Sequence, residues 1–406
     1  MTKIFPVSLI VDKSVLTVGQ IARDEGEKNS APSTTLAFRY KPTWLKVGFA
    51  LGDDLPLRPQ ILTPENKGAV TNRFPEPIFG FLRDHLPGTW LLRTSDSANA
   101  TSDALDFLLE NPSALRFSSL FCGTEAPAEV PAPILTKDLT GRLTRATESY
   151  FRDPSRLSEE EIDLIQSLGG TFGGTKIKFR VRTEKNPETE YVLRPRNPAS
   201  QVDEPLWAAV TMTLAKKSGL KALSGRFIPS LGYLEERFDR AGGNPLFCLS
   251  AATLAKGGDN AASLTWLDIA DILNREGSKP KEDLRELFSR LVFDMVVLNS
   301  RDTPENIWFY RHEGGWRLCP ISYGLSKPSS LPFRTLQTAV VGKNTLADTN
   351  TALSVARYFN LSARQAKEII LNTLRVTRDW ESTARLYGAL RSDCTLMQNA
   401  FAAETV

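Results

Sequence analysis

The segment that most constrains the fold is "KEDLRELFSRLVFDMVVLN", residues 281–299. Leu284, Leu287, Leu291 and Met295 recur at helical spacing, and Phe288, Val292 and Leu298 broaden the apolar stripe. A helix with so wide an apolar face has to be largely enclosed by other elements. It leads into the polar connection "NSRDTPEN" (299–306) and then into "NIWFYRHEGGWRLCP", where two strand-like runs flank a Gly-Gly turn, a hairpin signature. With 406 residues, 41% of them hydrophobic, the chain is long enough for two or three domains and a large interior.

The rest of the chain is organised around this centre. Residues 1–60 read as short strands, "FPVSLIV" and "LAFRY" among them, with a turn at "GDDLP". "EPIFGFLRDHLP" (76–87) and "SDALDFLLENP" (102–112) have helical spacing and stop at prolines. "GTEAPAEVPAPI" reads as a linker. "TFGGTKIKFRVRTE" and "TEYVLRPR" are strands joined by "EKNPE", and "EPLWAAVTMTLAKKSGL" (204–220) is a helix. "GYLEERFDR" follows as strand and loop; near the end, "LSARQAKEIILNTL" opens with Ser362 and Gln365 in capping-box spacing. The expected domains are 1–135, 136–245 and 246–406.

Composition narrows the function classes. A formal net charge of +3 allows an acidic partner but does not argue for nucleic acid, which usually needs a concentrated basic face. The four cysteines are far apart and the chain has two histidines, a poor donor set for zinc; buried thiols in a reducing compartment are expected. Neither a signal-peptide pattern nor an apolar run of membrane-spanning length is present, which points to a cytoplasmic protein.

Four stretches could carry chemistry. In "SLGGTFGGTKIKF" (167–179), Gly173, Gly174 and Thr175 could let backbone N–H groups approach phosphate oxygens, with Lys178 on the following strand to neutralise charge. Such turns also occur between ordinary strands. Arg194 in "YVLRPR" stands where kinases carry a phosphate-pairing lysine, and Glu204 at the start of the next helix is its candidate partner or merely an acid at a helix N-terminus. "EERFDR" (235–240) sets Phe238, a candidate adenine contact, among alternating charges. Finally, kinase loops place a catalytic Asp five residues before a metal-binding Asn. Here Asp302 lies four before Asn306, and Arg301 occupies the fifth position.

Taken together, "GGTKIK", "YVLRPR", "DEPLWAAVTMTLAKKSGL", "YLEERFDR", "LSAATL", "RLVFDMVVLN" and "WRLCPISYGLS" follow the order and spacing of the HipA family, the kinase-fold toxins of bacterial toxin–antitoxin modules. "LAFRYKPTWL", "FGFLRDHLPG" and the C-terminal "SVARYFNLSARQAKEI" extend the resemblance over nearly the whole chain. It implies an α+β, bilobal protein-kinase-like fold with an N-terminal β-rich subdomain and an all-α C-terminal region. It also implies ATP and Mg²⁺ as cofactors, a protein target such as an aminoacyl-tRNA synthetase, and a small helix-turn-helix (HipB-like) antitoxin through which DNA is reached. Family ATP contacts fall on Lys178, the backbone at Glu236, and Phe238, and the autophosphorylated loop serine falls on Thr171.

The departures from that family's pattern fall on the chemistry. The catalytic Asp becomes Arg301, the Asp after it is Asp302, the His is Thr303, the loop Lys is Glu305, and Asn306 is kept as the remaining metal ligand. The metal-binding Asp of the later segment falls on Tyr323 or, shifted by one residue, on Gly324. Losing one such group costs about two to three orders of magnitude in rate. The expectation is therefore a pseudokinase that binds nucleotide or protein partners. The alternative is an active Ser/Thr kinase using Asp302 as an offset base.

Overall fold

The computed structural model describes residues 2–11, 13–24, 35–64, 78–94, 108, 117–123, 130–299, 301–328 and 333–401. The helix expected over 102–112 lies outside them, apart from Leu108. The chain folds into two compact units, one formed by Met1–Glu190 and Asp239–Asn260, the other by Tyr191–Phe238 and Ala261–Val406.

The first unit carries a four-stranded antiparallel sheet. β1 (Thr2–Val11), β2 (Ser14–Asp24), β3 (Thr35–Tyr40) and β4 (Leu120–Cys122) lie in the order β3-β2-β1-β4. β1 shifts register between Val7 and Ser8. Gly19 of β2 faces Tyr40, and a Cβ there would come within 2.5 Å of the Arg39 carbonyl oxygen, so the two strands need a glycine at that point. Val7, Val18, Ile21 and Phe38 are buried. Two helices follow that the sequence pattern did not reveal, α1 (Lys137–Arg152) and α2 (Glu159–Leu168). α2 starts at a capping box in which Ser158 and Glu161 satisfy each other's backbone N–H groups. β5 (Phe179–Thr183) closes this stretch.

Two expectations are corrected here. The helix over 76–87 shrinks to one turn, Gly80–Arg83. Asp54 Oδ2 accepts from the Gly80 N–H at 2.7 Å, and the buried His85 ring sits 2.6 Å from the Phe81 carbonyl, so the segment is pinned as a turn. The last part of the supposed linker, 130–134, is fastened to β5 rather than loose. Ile134 bridges to Arg182, Arg182 Nε donates to the Ala132 carbonyl, and Arg180 donates to the Val130 carbonyl.

The second unit takes over within β6 (Asn186–Pro195), which begins in the first. α3 (Glu204–Lys217) is N-capped by Asp203 and buries Leu206, Trp207, Val210, Thr211 and Leu214. β7 (Gly225–Ile228) and β8 (Gly232–Glu236) complete the antiparallel order β6-β8-β7. α4 (Trp266–Glu276) precedes the long α5 (Pro280–Val297), and β9 (Trp308–His312) pairs with β10 (Gly315–Leu318) as the expected hairpin. α6 (Ala363–Thr377) begins at the expected capping box. Ser362 N donates to Gln365 Oε1 at 2.9 Å, and Ala366, Ile369, Ile370, Thr373 and Leu374 are buried.

α5 is enclosed as its sequence requires, but it also buries a polar stripe. Asp283, Glu286, Arg290 and Asp294 follow one another at intervals of three, four and four residues, and all four are buried. Each fastens a neighbouring segment. Asp283 accepts from Arg317 at 2.6 Å, Glu286 from the Lys221 N–H at 2.9 Å, and Asp294 from Asn299 Nδ2 at 2.8 Å. Arg290 donates to the Cys319 carbonyl at 2.8 Å. Buried charges persist only when paired or hydrogen-bonded, so this stripe sets where the loop, the hairpin and the 319–326 segment lie around the helix.

Candidate functional site

The glycine loop belongs to the first unit. Gly173 and Gly174 have φ of +57° and +73°, backbone that L side chains rarely adopt. The Gly174 carbonyl accepts from the Thr89 N–H at 3.1 Å, and Lys178 Nζ reaches back to the Gly173 carbonyl at 2.8 Å. Thr175 is exposed and Lys178 is buried. Thr171 is only 2% exposed, and its hydroxyl oxygen accepts from the Phe117 N–H at 2.8 Å. Its phosphorylation would require this loop to move.

In the second unit, Arg194 and Glu235 lie diagonally across adjacent strands, two residues off register, and form a short ion pair. Arg194 Nη2 and Nε both donate to Glu235 Oε1, at 2.6 and 3.1 Å. Ser322 Oγ donates to the same oxygen at 2.8 Å, and the Tyr323 N–H donates to Oε2 at 2.9 Å. The partner expected for Arg194, Glu204, instead has Lys327 at 3.5 Å. The glutamate of "EERFDR" therefore fills the ion-pair role, which sequence order could not show because the contact spans 41 residues across a strand pair. Arg194 Nη1 is buried without an acceptor among the described residues.

Tyr323, one of the two positions on which the resemblance sets the metal carboxylate, is buried and has φ of +49°, an unfavourable backbone for a bulky residue. Its ring is flanked by two guanidiniums, Arg194 at 4.6 Å and Arg301 at 5.9 Å from the ring centre. Burial pushes the tyrosine hydroxyl's pKa up, so it stays protonated near neutral pH. The neighbouring Gly324 offers no alternative carboxylate position. A Cβ there would lie 3.3 Å from Thr211 Cγ2, tighter than most real contacts.

The loop itself divides into an inner and an outer half. Leu298 closes α5 in the left-handed region, and Asn299 turns inward. Asn299 Oδ1 accepts from the Arg301 and Leu325 N–H groups at 3.2 and 2.8 Å. Asp302 is 8% exposed, with its carboxyl beside Asp294 and 4.0 Å from Arg290 Nε. Burial raises the pKa of both carboxyls, and the pair holds a proton well above the usual carboxylate range. Asp302 is thus not placed as an outward-facing base.

The outer half lines a cavity of about 370 Å³, bordered by Arg301, Thr303, Glu305, Asn306, Lys327 and Gln337. Asn306 is exposed, and its Nδ2 donates to Thr303 Oγ1 at 2.9 Å. The Glu236 N–H donates to the Ser224 carbonyl at 2.9 Å, and Phe238 sits 5.9 Å from the ring of Trp308, an aromatic neighbour not singled out from sequence.

These residues do not fit Mg²⁺. The ion takes one or two carboxylates with near-octahedral oxygen geometry. Here Asp302 faces inward, Tyr323 replaces the second acid, and Asn306 and Glu305 are solvent-exposed. Among the described residues no group of three or more His, Cys, Asp or Glu side chains is brought together. No helix among them is long and apolar enough to cross a membrane.

An α+β fold with this loop, this strand arginine and this buried glutamate defines a kinase-type protein of the HipA class. The model of the HipA-like C-terminal domain matches residues 170–380, and the chain belongs to that family. Its structure is similar to Shewanella oneidensis MR-1 HipA, solved in complex with HipB and operator DNA. The identity is 14%, with 98% of this chain and 95% of that one covered and a TM-score of 0.58. The proinflammatory kinase CtkA of Helicobacter pylori matches at 11% identity over 52% of this chain and 94% of that one, with a TM-score of 0.34. No curated protein matches the sequence.

Proposed function

We propose that the chain is the kinase-fold component of a bacterial toxin–antitoxin or related regulatory module, and that it binds nucleotide and protein partners without transferring phosphoryl groups. The observation that carries this reading is Arg301 beside the Tyr323 ring, the two residues that the family resemblance sets on the catalytic and metal-binding Asp positions, with Arg194 also over that ring. A hydroxyl nucleophile needs a proton acceptor, and a guanidinium cannot serve as one. Asp302, the nearest acid in sequence, shares its burial with Asp294 and Arg290.

Support for a nucleotide ligand in the second unit is the buried Arg194 Nη1, which has no acceptor among the described residues; the left-handed glycine pair and the neighbouring Lys178 are, by themselves, a phosphate-binding candidate of the first unit. Such a ligand would meet cations rather than a metal cage, with Phe238 and Trp308 as candidate base contacts. A small helix-turn-helix antitoxin is the partner suggested by the HipA–HipB complex, with DNA reached through that partner. The experiment is a thermal-shift titration with ATP in EDTA and again in excess Mg²⁺. A native-state ligand raises the melting temperature, so equal ATP-dependent shifts in the two buffers are expected. No shift in either would overturn the nucleotide-holding reading, and a shift only with Mg²⁺ would overturn its metal independence.

A further inference from the structure

Arg301 differs from Arg194, Arg180 and Arg317 in its surroundings. Arg194 is neutralised by Glu235, Arg180 by Glu190 and Arg317 by Asp283. Arg301 has no carboxylate within ion-pair distance and no side-chain hydrogen bond among the described residues. Among the described residues its guanidinium lies over the Tyr323 ring, 5.9 Å from the ring centre. Burial and the nearby Arg194 charge hold its pKa below the ordinary arginine range, as expected for a cation lacking a counter-ion.

The guanidinium borders the 370 Å³ cavity, a volume typical of sites for small ligands. Lys327 borders the same cavity and is held only at 3.5 Å by Glu204. The Gln337 amide is exposed and makes no hydrogen bond among the described residues. Among the described residues Glu305 is the one acid on the lining, and it is exposed and forms no ion pair with them. Lys178, Glu236 and Phe238, the candidate nucleotide contacts, do not line this cavity.

We propose that this cavity binds a phosphorylated serine or threonine side chain of a protein partner, with Arg301 and Lys327 holding the phosphate and the Gln337 and Asn306 amides available to the peptide backbone. A phosphate monoester carries close to two negative charges, and a guanidinium can engage it through two parallel hydrogen bonds. The position that would present a base to a hydroxyl instead presents a cation to a hydroxyl already modified. The inference rests on the preceding reading only in that Arg301 is not part of a transfer machine. ATP stabilisation tests that reading separately.

The test is calorimetric titration of the full chain in EDTA with an acetylated, amidated alanine pentapeptide bearing phosphoserine at its centre, and with its unphosphorylated twin. Binding of the phosphopeptide at least about tenfold tighter than the twin is expected, the scale of one charge-assisted recognition. Arg301→Ala should abolish the difference and Arg301→Lys should restore part of it, since lysine keeps the charge without the fork. Lys327 is half-buried and its nearest acid, Glu204, is 3.5 Å away, so Lys327→Ala should keep the fold, checked by an unchanged melting temperature, and weaken binding severalfold; Glu305→Gln should tighten it. Equal affinity for the two peptides, or phosphopeptide binding unchanged in both Arg301→Ala and Lys327→Ala, overturns the proposal. So does full displacement by ATP, which would make the cavity part of a nucleotide site.

Discussion

Two arginines lie over one tyrosine ring, and they are held in opposite ways. Arg194, on β6, is locked by a buried glutamate that also accepts from Ser322 and the Tyr323 backbone. Arg301, on the loop after α5, has the ring face and an open cavity. The first arrangement is structural electrostatics, complete within the protein apart from one guanidinium nitrogen. The second is an unfinished one, and unfinished charge at a cavity is where a ligand completes the balance. The same fold thus spends one cation on its framework and keeps another for binding.

The largest effect should come from breaking the completed side. Glu235→Ala leaves Arg194 buried without a counter-charge, and loss of about 3–5 kcal/mol is expected in urea denaturation. Arg301→Ala should change stability by no more than about 0.5 kcal/mol, because no paired charge is stranded. Comparable losses in the two variants would erase the distinction between the arginines.

A smaller effect separates the inner half of the loop from the outer. The folded-state pKa values of Asp294 and Asp302 are raised, so the native state holds protons that the unfolded chain releases. Stability from this pair is fully present below the ordinary carboxylate pKa, about 3.9, and is lost as pH rises toward the raised folded values. Asp294→Asn should flatten that decline and raise the melting temperature near pH 7 by ~2–4 °C relative to wild type. A wild-type profile that rises across the same window would show that the carboxyls are ionised and paired in the folded protein.

Much of this was legible in the residues, for identifiable reasons. α5, the β9–β10 hairpin and the capping box of α6 announce themselves because periodicity, a Gly-Gly turn and a Ser-x-x-Gln spacing are local signals. The loop's place after α5 followed from that order. α1 was missed because its buried set, Leu139, Leu143, Ala146, Thr147 and Tyr150, is sparse and partly polar. The polar stripe on α5 was visible in principle, since Asp283, Glu286, Arg290 and Asp294 keep helical spacing inside an apolar helix. Glu235 as the partner of Arg194 was not, because a cross-strand register decides it. The inward turn of Asp302 was hidden too, since it depends on Asn299, Arg290 and Asp294 acting together.

The central claim is that the arginine-lined loop binds and does not transfer. Its most direct test is incubation of the purified chain with γ-labelled ATP, Mg²⁺ or Mn²⁺, and bacterial extract. The expected result is no labelled protein above the background given by Asp302→Asn. Label that appears with the wild-type chain and disappears with Asp302→Asn would contradict the account and make Asp302 the base of a working kinase.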